Sequence, residues 1–597
     1  MGGIIAIYTK MCMEDFGLQT KILGQGYYDH LVTLVEDDDT RHVALRALNS
    51  IALTTGKQIP PSFRRGAPRV LEHALKHLDE PDTLTILTGM FAHATETLRA
   101  SSRGSGPFFD VAKLVRALLA ELKKPQENAY LFDHAMVCFT ATNAYDTMHA
   151  CDHIASYVTL MIALLRCKDF HRRCQVLYSL DEIDLIARDL SQSFTTIVAQ
   201  EPKRMTDIAT IALDLKVEDL PESLQKAADK HGRDKLFMTQ LQRGQAAYAA
   251  LFVQYDPEVD LLAMARAFAR VLYEYEYPVP GSKICNHTAR VTFDRKGGAR
   301  HWIKLAERCF KALRAQDAPS HADLLHADIL ELMVLQGKGK SDEEVYDFTQ
   351  AARTRHPQCP LFYHVHYAET DAAIRLAKKG LKCPDIPAWI RLKLTILAAS
   401  AADRKIPYLS PDDVYPWLVS ARADAKWIMD EGPPDDFQRC WALETYILMH
   451  LTIEGPSASF KAPSVQRAIK ELEINAGFMK AFGEPIVYYR WSVRRMRNLA
   501  LMYRRGQEEW AALLSRVDEW YLEEERDDPC KSERDPLVKW MSKLESWDNL
   551  DAEVHEERKR PAQQPRFLPS TLRLMTCSWC SRPSVILKQC SACGQER

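Results

Sequence analysis

A recurrence of paired leucines constrains the first third of this chain more than any other feature. Leu31/Leu34 is followed by Leu75/Leu78 and then Leu119/Leu122, each step 44 residues, and Leu165 continues the series one residue early. After each anchor comes a short polar break: Glu36–Asp39, Asp79–Asp82, Lys123–Glu127 and Lys168–Asp169. A second amphipathic segment then begins, as in VALRALNSIAL from Val43 and LTILTGMFAHA from Leu84. One helix–break–helix unit cannot bury its apolar stripe alone, so such units must stack and cover one another.

A helix–break–helix period of this length resembles that of armadillo and HEAT-type repeats. The resemblance implies a solenoid with a long groove over residues 1–195. The competing reading is an irregular helical bundle whose spacing is accidental.

From about residue 200 to 555 the rhythm changes but stays helical. MTQLQRGQAAYAALFVQ (238–254), LLAMARAFARVLYEY (261–275) and HWIKLAERCFKALRAQ (301–316) place apolar groups at i, i+3, i+4 and i+7. Breaks fall at Pro278–Gly281, Gly297–Gly298, Gly337–Gly339 and Gly432–Pro434. Residues 359–385 resemble a tetratricopeptide repeat, with an aromatic first helix and an Ala/Leu-faced second helix that Pro384 stops. Alternating Val, Ile and Thr runs are nearly absent, and the one strand candidate is Ala289–Phe293 beside a turn at Lys296–Gly298. The expected class is therefore all-α: an armadillo/HEAT-like helical-repeat solenoid at 1–195, TPR-like α–α pairs at 196–555, a linker at 556–570 and a small zinc-binding module at 571–597. The linker is read from EERKRPAQQP, whose prolines and charges favour an extended, solvated chain.

The chemistry sits in the tail, CSWCSRPSVILKQCSACGQER. Two C-x-x-C pairs, Cys577/Cys580 and Cys590/Cys593, stand nine residues apart. Two residues between cysteines let both sulfurs of a tight turn converge on one zinc ion at about 2.3 Å. Zinc binds thiolate and lowers the pKa of its ligands. Gly594 permits the left-handed backbone such turns use, and Ser578, Ser581, Ser591 and Ala592 leave room for N–H groups to face sulfur. A tail this short cannot bury a core, and a metal can replace one. The alternatives are four free cysteines or two disulfides.

The tail resembles the first half of a MYND-type zinc finger. That family opens with C-x-x-C, a spacer and a second C-x-x-C, often with Leu shortly before the third Cys; here Leu587 precedes Cys590. In the family, eight ligands hold two zinc ions in interleaved order, and the finger grips short proline-containing peptides. This sequence stops at Arg597, where the family continues with Tyr-Cys. Two expectations follow: a shortened product, or four cysteines gathered on a single Zn2+ as in a simple zinc ribbon.

Composition bounds the rest. A formal net charge of −2 gives no global field to recruit nucleic acid or an acidic membrane. Fifteen cysteines, mostly single and inside apolar stretches, suit buried thiols in a reducing compartment. The N-terminus lacks a basic segment followed by a sustained apolar run, so no signal peptide is expected. Gly2 opens a myristoylation pattern that fails at Ala6. The longest apolar run, Ile154–Leu165, falls short of the roughly 20 residues a bilayer needs. The expectation is an intracellular protein of cytoplasm or nucleus, with no membrane association.

Other candidates weaken on inspection. Gly339-Lys340-Ser341 imitates a phosphate-binding loop, but Val334 stands where its leading glycine belongs. Cys167, His171 and Cys174, with Cys151 and His153 nearby, could form a second metal site; buried thiols and a surface or capping His are the simpler reading. His364 and His366 have no Cys or carboxylate partners at useful spacing. Asn286-His287 is similar to a pair in SET methyltransferases, whose cofactor-binding glycines and tyrosine motif are missing here. The arginines from Arg490 to Arg505 could meet an anion, or form a solvated face beside the stripe Tyr489, Val493, Met496, Ala500 and Tyr503, with the acidic run Glu523–Asp528 as partner. The function expected is a non-enzymatic, zinc-binding protein–protein scaffold. The alternatives are an enzyme with its site on the helical body and a structural zinc, or a nucleic-acid binder through the arginine helix.

Overall fold

The computed structural model describes residues 2–14, 16–54, 61–77, 83–101, 110–124, 129–141, 155–182, 212–275, 282–284, 291–293, 299–364, 371–405, 411–482, 487–527, 575–576 and 583–584. It is all-α, with helices packed in pairs. Up to Glu182 the helices are α1 (Gly2–Glu14), α2 (Phe16–Gly24), α3 (Tyr27–Leu34), α4 (Arg41–Thr54), α5 (Pro61–Lys76), α6 (Thr83–Ser101), α7 (Val111–Leu122), α8 (Ala129–Ala141), α9 (Ala155–Leu164) and α10 (Phe170–Glu182).

The leucine series marks one helix end in each pair. Leu34 and Leu122 close α3 and α7, Leu75 lies in the last turn of α5, and Leu165 follows α9 directly. Leu78 lies outside the described residues. Leu31, Leu119, Leu122 and Leu165 are fully or almost fully buried. The second helices stack in order, α4 on α6, α6 on α8 and α8 on α10, so each covers the stripe its neighbour exposes.

The second stretch contains α11 (Glu222–His231), α12 (Phe237–Gln254), α13 (Leu261–Glu274), α14 (Ala299–Arg314), α15 (His321–Gly337), α16 (Asp342–Arg355), α17 (Asp371–Gly380), α18 (Ala388–Lys405), α19 (Pro411–Glu431), α20 (Arg439–Glu454), α21 (Pro463–Ala481), α22 (Val487–Glu509) and α23 (Ala511–Asp527). Ser341 starts α16 with a capping box: its Oγ accepts from Glu344 N at 3.2 Å, and the Glu344 carboxylate accepts from Ser341 N at 2.9 Å. The phosphate-loop look-alike is thus a helix start. The strand expected at 289–293 is present as Val291–Phe293, but its antiparallel partner, Ser282–Ile284, precedes it. The aromatic first helix expected in 359–385 is a 3₁₀ turn, Pro360–Tyr363. Pro360 fits its first position, where no N–H is needed, and Phe362 and Tyr363 are buried as core plugs.

This second stretch closes on itself. α11 packs on α21, and the loop before α20 seals the start of α12. Asp435 there accepts the backbone N–H groups of Phe237 and Met238, both at 2.9 Å, and the Phe237 and Phe437 rings meet edge-on at 5.9 Å. Asn475 of α21 donates to the carbonyls of Pro434 and Asp436 at 2.9 and 2.8 Å. Arg439, buried, donates to Glu471 at 2.9 Å and to the carbonyls ending α19. One apolar cluster runs from Ile5 through Trp510 to Val517. The smaller clusters are centred on Tyr363, Ile390 and Leu394, and on Leu392, Ile396 and Ile428.

The closure carries a signed pH dependence. Burial pushes the Asp435 carboxyl up to about 7, against the two N–H donors that favour its anion. Burial, then the Arg439 charge, pushes the nearby His231 down to about 4. From pH 4 to 7 the folded state holds a proton on Asp435 that the unfolded chain has lost, so that contribution falls as pH rises. From pH 4 to 6.5 the unfolded chain protonates His231 while the folded state does not, so that contribution rises, and the two offset. Asp435→Asn removes the first. Urea titrations of the variant should show stability climbing from pH 4.5 to 6.5 more steeply than in the parent, by up to about 1.4 kcal/mol per pH unit. Parallel curves would refute the assignment.

Candidate functional site

The four cysteines expected to hold zinc, Cys577, Cys580, Cys590 and Cys593, lie outside the described residues. Described on either side of the first pair are two short strands, Met575–Thr576 and Pro583–Ser584, paired antiparallel with Thr576 opposite Pro583. In the sequence, Cys577 and Cys580 stand between these two strands. The second metal candidate does not assemble. Cys167 and Cys174 are buried, burial raises both thiols, and Cys167 Sγ contacts the Asp169 carbonyl at 3.3 Å. Among the described residues no group of three His, Cys, Asp or Glu side chains could hold a metal. His364 follows the 3₁₀ turn; Cys151, His153, Asn286, His287 and His366 lie outside the described residues.

In the arginine helix, Met496 and Tyr503 are core and Val493 and Ala500 pack against it. Arg497 pairs with Glu473 of α21, and Arg504 with Glu508 one turn on at 3.0 Å. The acids that meet these two arginines are thus Glu473 and Glu508. The side chains of Arg490, Arg494 and the acidic run lie outside the described residues.

That helix has a different task, because α22 and α23 lie against the N-terminal helix pairs. Gly506 meets α9 so closely that a Cβ there would stand 2.4 Å from the Thr159 carbonyl oxygen. One turn on, Glu509 Oε1 accepts from Lys123 Nζ and Ser156 Oγ, and Oε2 from Thr159 Oγ1, all at 2.7 Å. Burial raises the Glu509 carboxyl, but these three donors outweigh it and hold it below the usual range. Trp510 is 1% exposed; its indole N–H donates to Thr159 Oγ1 at 3.1 Å, and Lys123 stands 4.9 Å over its ring. Along α23, Arg516 donates to the carbonyls of Lys124 and Leu122 at 2.6 and 3.2 Å. Asp518 accepts from Lys168 N at 2.6 Å, and Trp520 packs 5.9 Å from Phe132. A second seam joins α10 to α20, where Arg173 donates to the Thr452 carbonyl at 2.7 Å and to the Cys167 carbonyl at 2.6 Å. Gly455 (φ 51°) passes over this guanidinium, and a Cβ there would sit 2.6 Å from its central carbon. The chain's own C-terminal helices thus fill this face of the helix pairs.

The described cavity is a cleft of about 380 Å³ between α14, α15 and α16, lined by Arg314, Leu324, Asp328, Glu331, Phe348, Ala351 and Arg355. At its base Asp328, 2% exposed, is held on both oxygens. Arg314 Nη2 donates to Oδ1 at 2.5 Å; Arg355 donates to Oδ2 through Nε and Nη2 at 2.8 Å, and His356 Nε2 meets Oδ2 at 3.1 Å. Glu331 also pairs with Arg314. Burial lowers the His356 pKa more than the Asp328 charge raises it, and Nε2 is the ring nitrogen that faces the Asp328 carboxylate. Its Nδ1 is buried without a hydrogen-bond partner among the described residues.

What fold and site define is an all-α protein of paired helices, whose last two described helices pack against the helices between Val111 and Glu182, with a polar cleft among the described residues. Compared with protein-family models, with curated proteins and with solved structures, the chain matches none.

Neither the Glu509–Trp510 node nor the Asp328 cluster had been singled out in the sequence. Lys123 and Glu509 are 386 positions apart, and no local pattern links them. Gly506, a lone glycine inside a helical pattern, was the available signal, since such a glycine costs helix stability unless packing needs it.

In an open helix Gly→Ala stabilises by about 1 kcal/mol. At Gly506 the new methyl would strike backbone that cannot rotate away, so the sign reverses: Gly506→Ala should destabilise by about 1–3 kcal/mol in chemical unfolding. Gly3→Ala, whose Cβ would meet nothing within 4 Å, should be neutral or slightly stabilising. A stabilised Gly506→Ala would mean that the two helices do not touch there in solution.

Proposed function

We propose that the protein is a non-enzymatic protein–protein interaction scaffold that carries a structural zinc site in its tail. In this reading residues 1–195 form armadillo/HEAT-like repeats and 196–555 TPR-like pairs, and 571–597 is a partial MYND-like module whose Cys577, Cys580, Cys590 and Cys593 share one Zn2+. The observation that carries the zinc reading is the paired strands on either side of Cys577 and Cys580. A hairpin connection brings the two ends of a six-residue segment together, the arrangement a C-x-x-C turn needs to aim two sulfurs at one ion. The partners proposed are proteins, with proline-containing peptides the class that the MYND likeness suggests.

The non-enzymatic part draws support from the Asp328 cleft. Its carboxylates are engaged by arginines, and its lining offers no hydroxyl or thiol nucleophile. A His–Asp pair whose outer nitrogen is sealed from solvent has no route for a proton. The nucleic-acid alternative loses support because Arg497 and Arg504 are each matched by a glutamate. No helix among the described residues is long and apolar enough to cross a membrane. An intracellular address is proposed on the eight described cysteines, all free and buried, as thiols in a reducing compartment are.

Elemental analysis tests the metal reading directly. The purified chain should hold one equivalent of zinc, and both Cys577→Ser and Cys590→Ser should lose it. Zinc kept by either variant, or none in the parent, would overturn the shared site.

A further inference from the structure

The Asp328 cleft has a feature beyond its internal pairing: it is rich in donors. Two guanidinium groups carry ten N–H bonds between them. Arg314 spends only its Nη2 on Asp328 and Glu331, and Arg355 spends Nε and Nη2 on Asp328. The Nη1 groups of both, and Nε of Arg314, have no hydrogen-bond acceptor among the described residues. Both side chains stay 38–44% exposed, while Asp328 beneath them is 3% exposed. One buried carboxylate therefore pins two arginines side by side by their inner edges and leaves their outer edges open. Arg314 also lies over the Phe310 ring at 5.5 Å, which limits its rotation. This preorganisation removes much of the side-chain entropy that two free arginines would lose on gripping a ligand.

The other wall is apolar, formed by Leu324, Phe348 and Ala351. A free cation would meet two guanidinium groups here, and both Asp328 oxygens are engaged; Glu331 meets Arg314 as an ion pair, its Oε2 having no hydrogen-bond partner among the described residues. An anion finds the unspent donors. At about 380 Å³ the cleft accommodates a side chain or two.

We propose that the Arg314–Arg355 pair is a clamp for a carboxylate carried by a peptide partner, with Leu324, Phe348 and Ala351 receiving an apolar group beside it. The clamp rests on the scaffold reading and deepens it by naming what the partner presents: an acidic residue flanked by an aliphatic one. Planar forks match planar carboxylates, and both arginines line the same cleft.

The test is a fluorescence-anisotropy titration of the full chain with labelled acetyl hexapeptides, in each of which one Glu stands among Ala and Leu. Each peptide has a twin with Gln in place of Glu, and inorganic phosphate serves as competitor. At least one Glu peptide should bind tenfold or more tightly than its twin. Arg355→Gln and Arg314→Gln should each weaken it tenfold or more. Because those changes also uncover Asp328, Ala351→Phe serves as the second variant: it fills the cleft from an exposed helix position, leaves the ion pairs intact and should abolish binding. Arg504→Gln, an exposed α22 position paired with Glu508 and absent from the cleft lining, should change nothing. No Glu-over-Gln preference anywhere in the panel overturns the clamp. So does binding that survives Ala351→Phe, and so does phosphate displacing peptide at equal affinity, which would mark a plain anion site. Mass spectra of the peptides after incubation separate the two readings: a cleaved or modified peptide that still needs Arg355 would sink the scaffold function while leaving the clamp standing.

Discussion

The contact between Gly506 and the Thr159 carbonyl sets the spacing on which the joining of the two halves depends. Two helices normally keep a side-chain layer between their backbones, at about 8–10 Å between axes. A glycine at the crossing removes that layer on one side. The approach it permits brings Glu509 within reach of Lys123, Ser156 and Thr159 and drives Trp510 to full burial. The next helix inherits the placement, so that Arg516 reaches the carbonyls ending α7, Asp518 reaches the amide of Lys168, and Trp520 reaches Phe132. Several of these partners are orphan backbone groups at helix ends, which cost free energy when buried unpaired. The C-terminal helices serve as caps for helices laid down some 350 residues earlier.

Three of the buried charges are each met by several partners, since a single pairing does not readily recover the cost of leaving water. Arg173 takes three carbonyls, Asp328 takes two arginines and a histidine, and Arg439 takes a glutamate and the carbonyls ending α19. These networks sit where separate helices meet: α10 with the sequence-distant α20, and, nearer along the chain, α14 with α16 and α19 with α21. Apolar contact supplies most of the driving force there but is tolerant of small slides. A multiply bonded guanidinium is not, and it fixes the register of the seam.

How far the fold was legible depends on the range of the forces involved. The anchors Leu31, Leu119, Leu122 and Leu165 are buried where their period places them, because helix periodicity is a local signal. The strand at Val291–Phe293 was visible as a β-branched run, but its partner was not, since nothing in the run says which neighbour will pair with it. Residues 359–364 misled: the aromatic residues Phe362 and Tyr363 suggested a first repeat helix, yet Pro360 at the head of the segment goes with a tighter turn. The stripe Met496 and Tyr503 read correctly as core; Arg497 meets Glu473, which belongs to another helix and which no local pattern marks, while the side chains of the acidic run Glu523–Asp528 lie outside the described residues. The four tail cysteines lie outside the described residues, and only the strands beside Cys577 and Cys580 bear on them. The Asp328 cleft was illegible for a simple reason: Arg314, Asp328 and Arg355 stand on three successive helices at separations that match no motif.

Closure sets these helices apart from an open repeat array. In an open repeat array each unit touches only its neighbours, stability is nearly a sum over units, and ends fray first. Here α11 touches α21, Asp435 seals α12, and α22 touches α9, so early helices lean on late ones. Loosening the last helices would expose the Thr159 face and the carbonyls of Leu122 and Lys124 together, a cost that local fraying in a solenoid does not carry. The same closure covers that face with the chain's own helices. In the proposed scaffold, recognition would therefore fall to the outer flanks, where the proposed arginine clamp needs no helix to move before it holds a ligand.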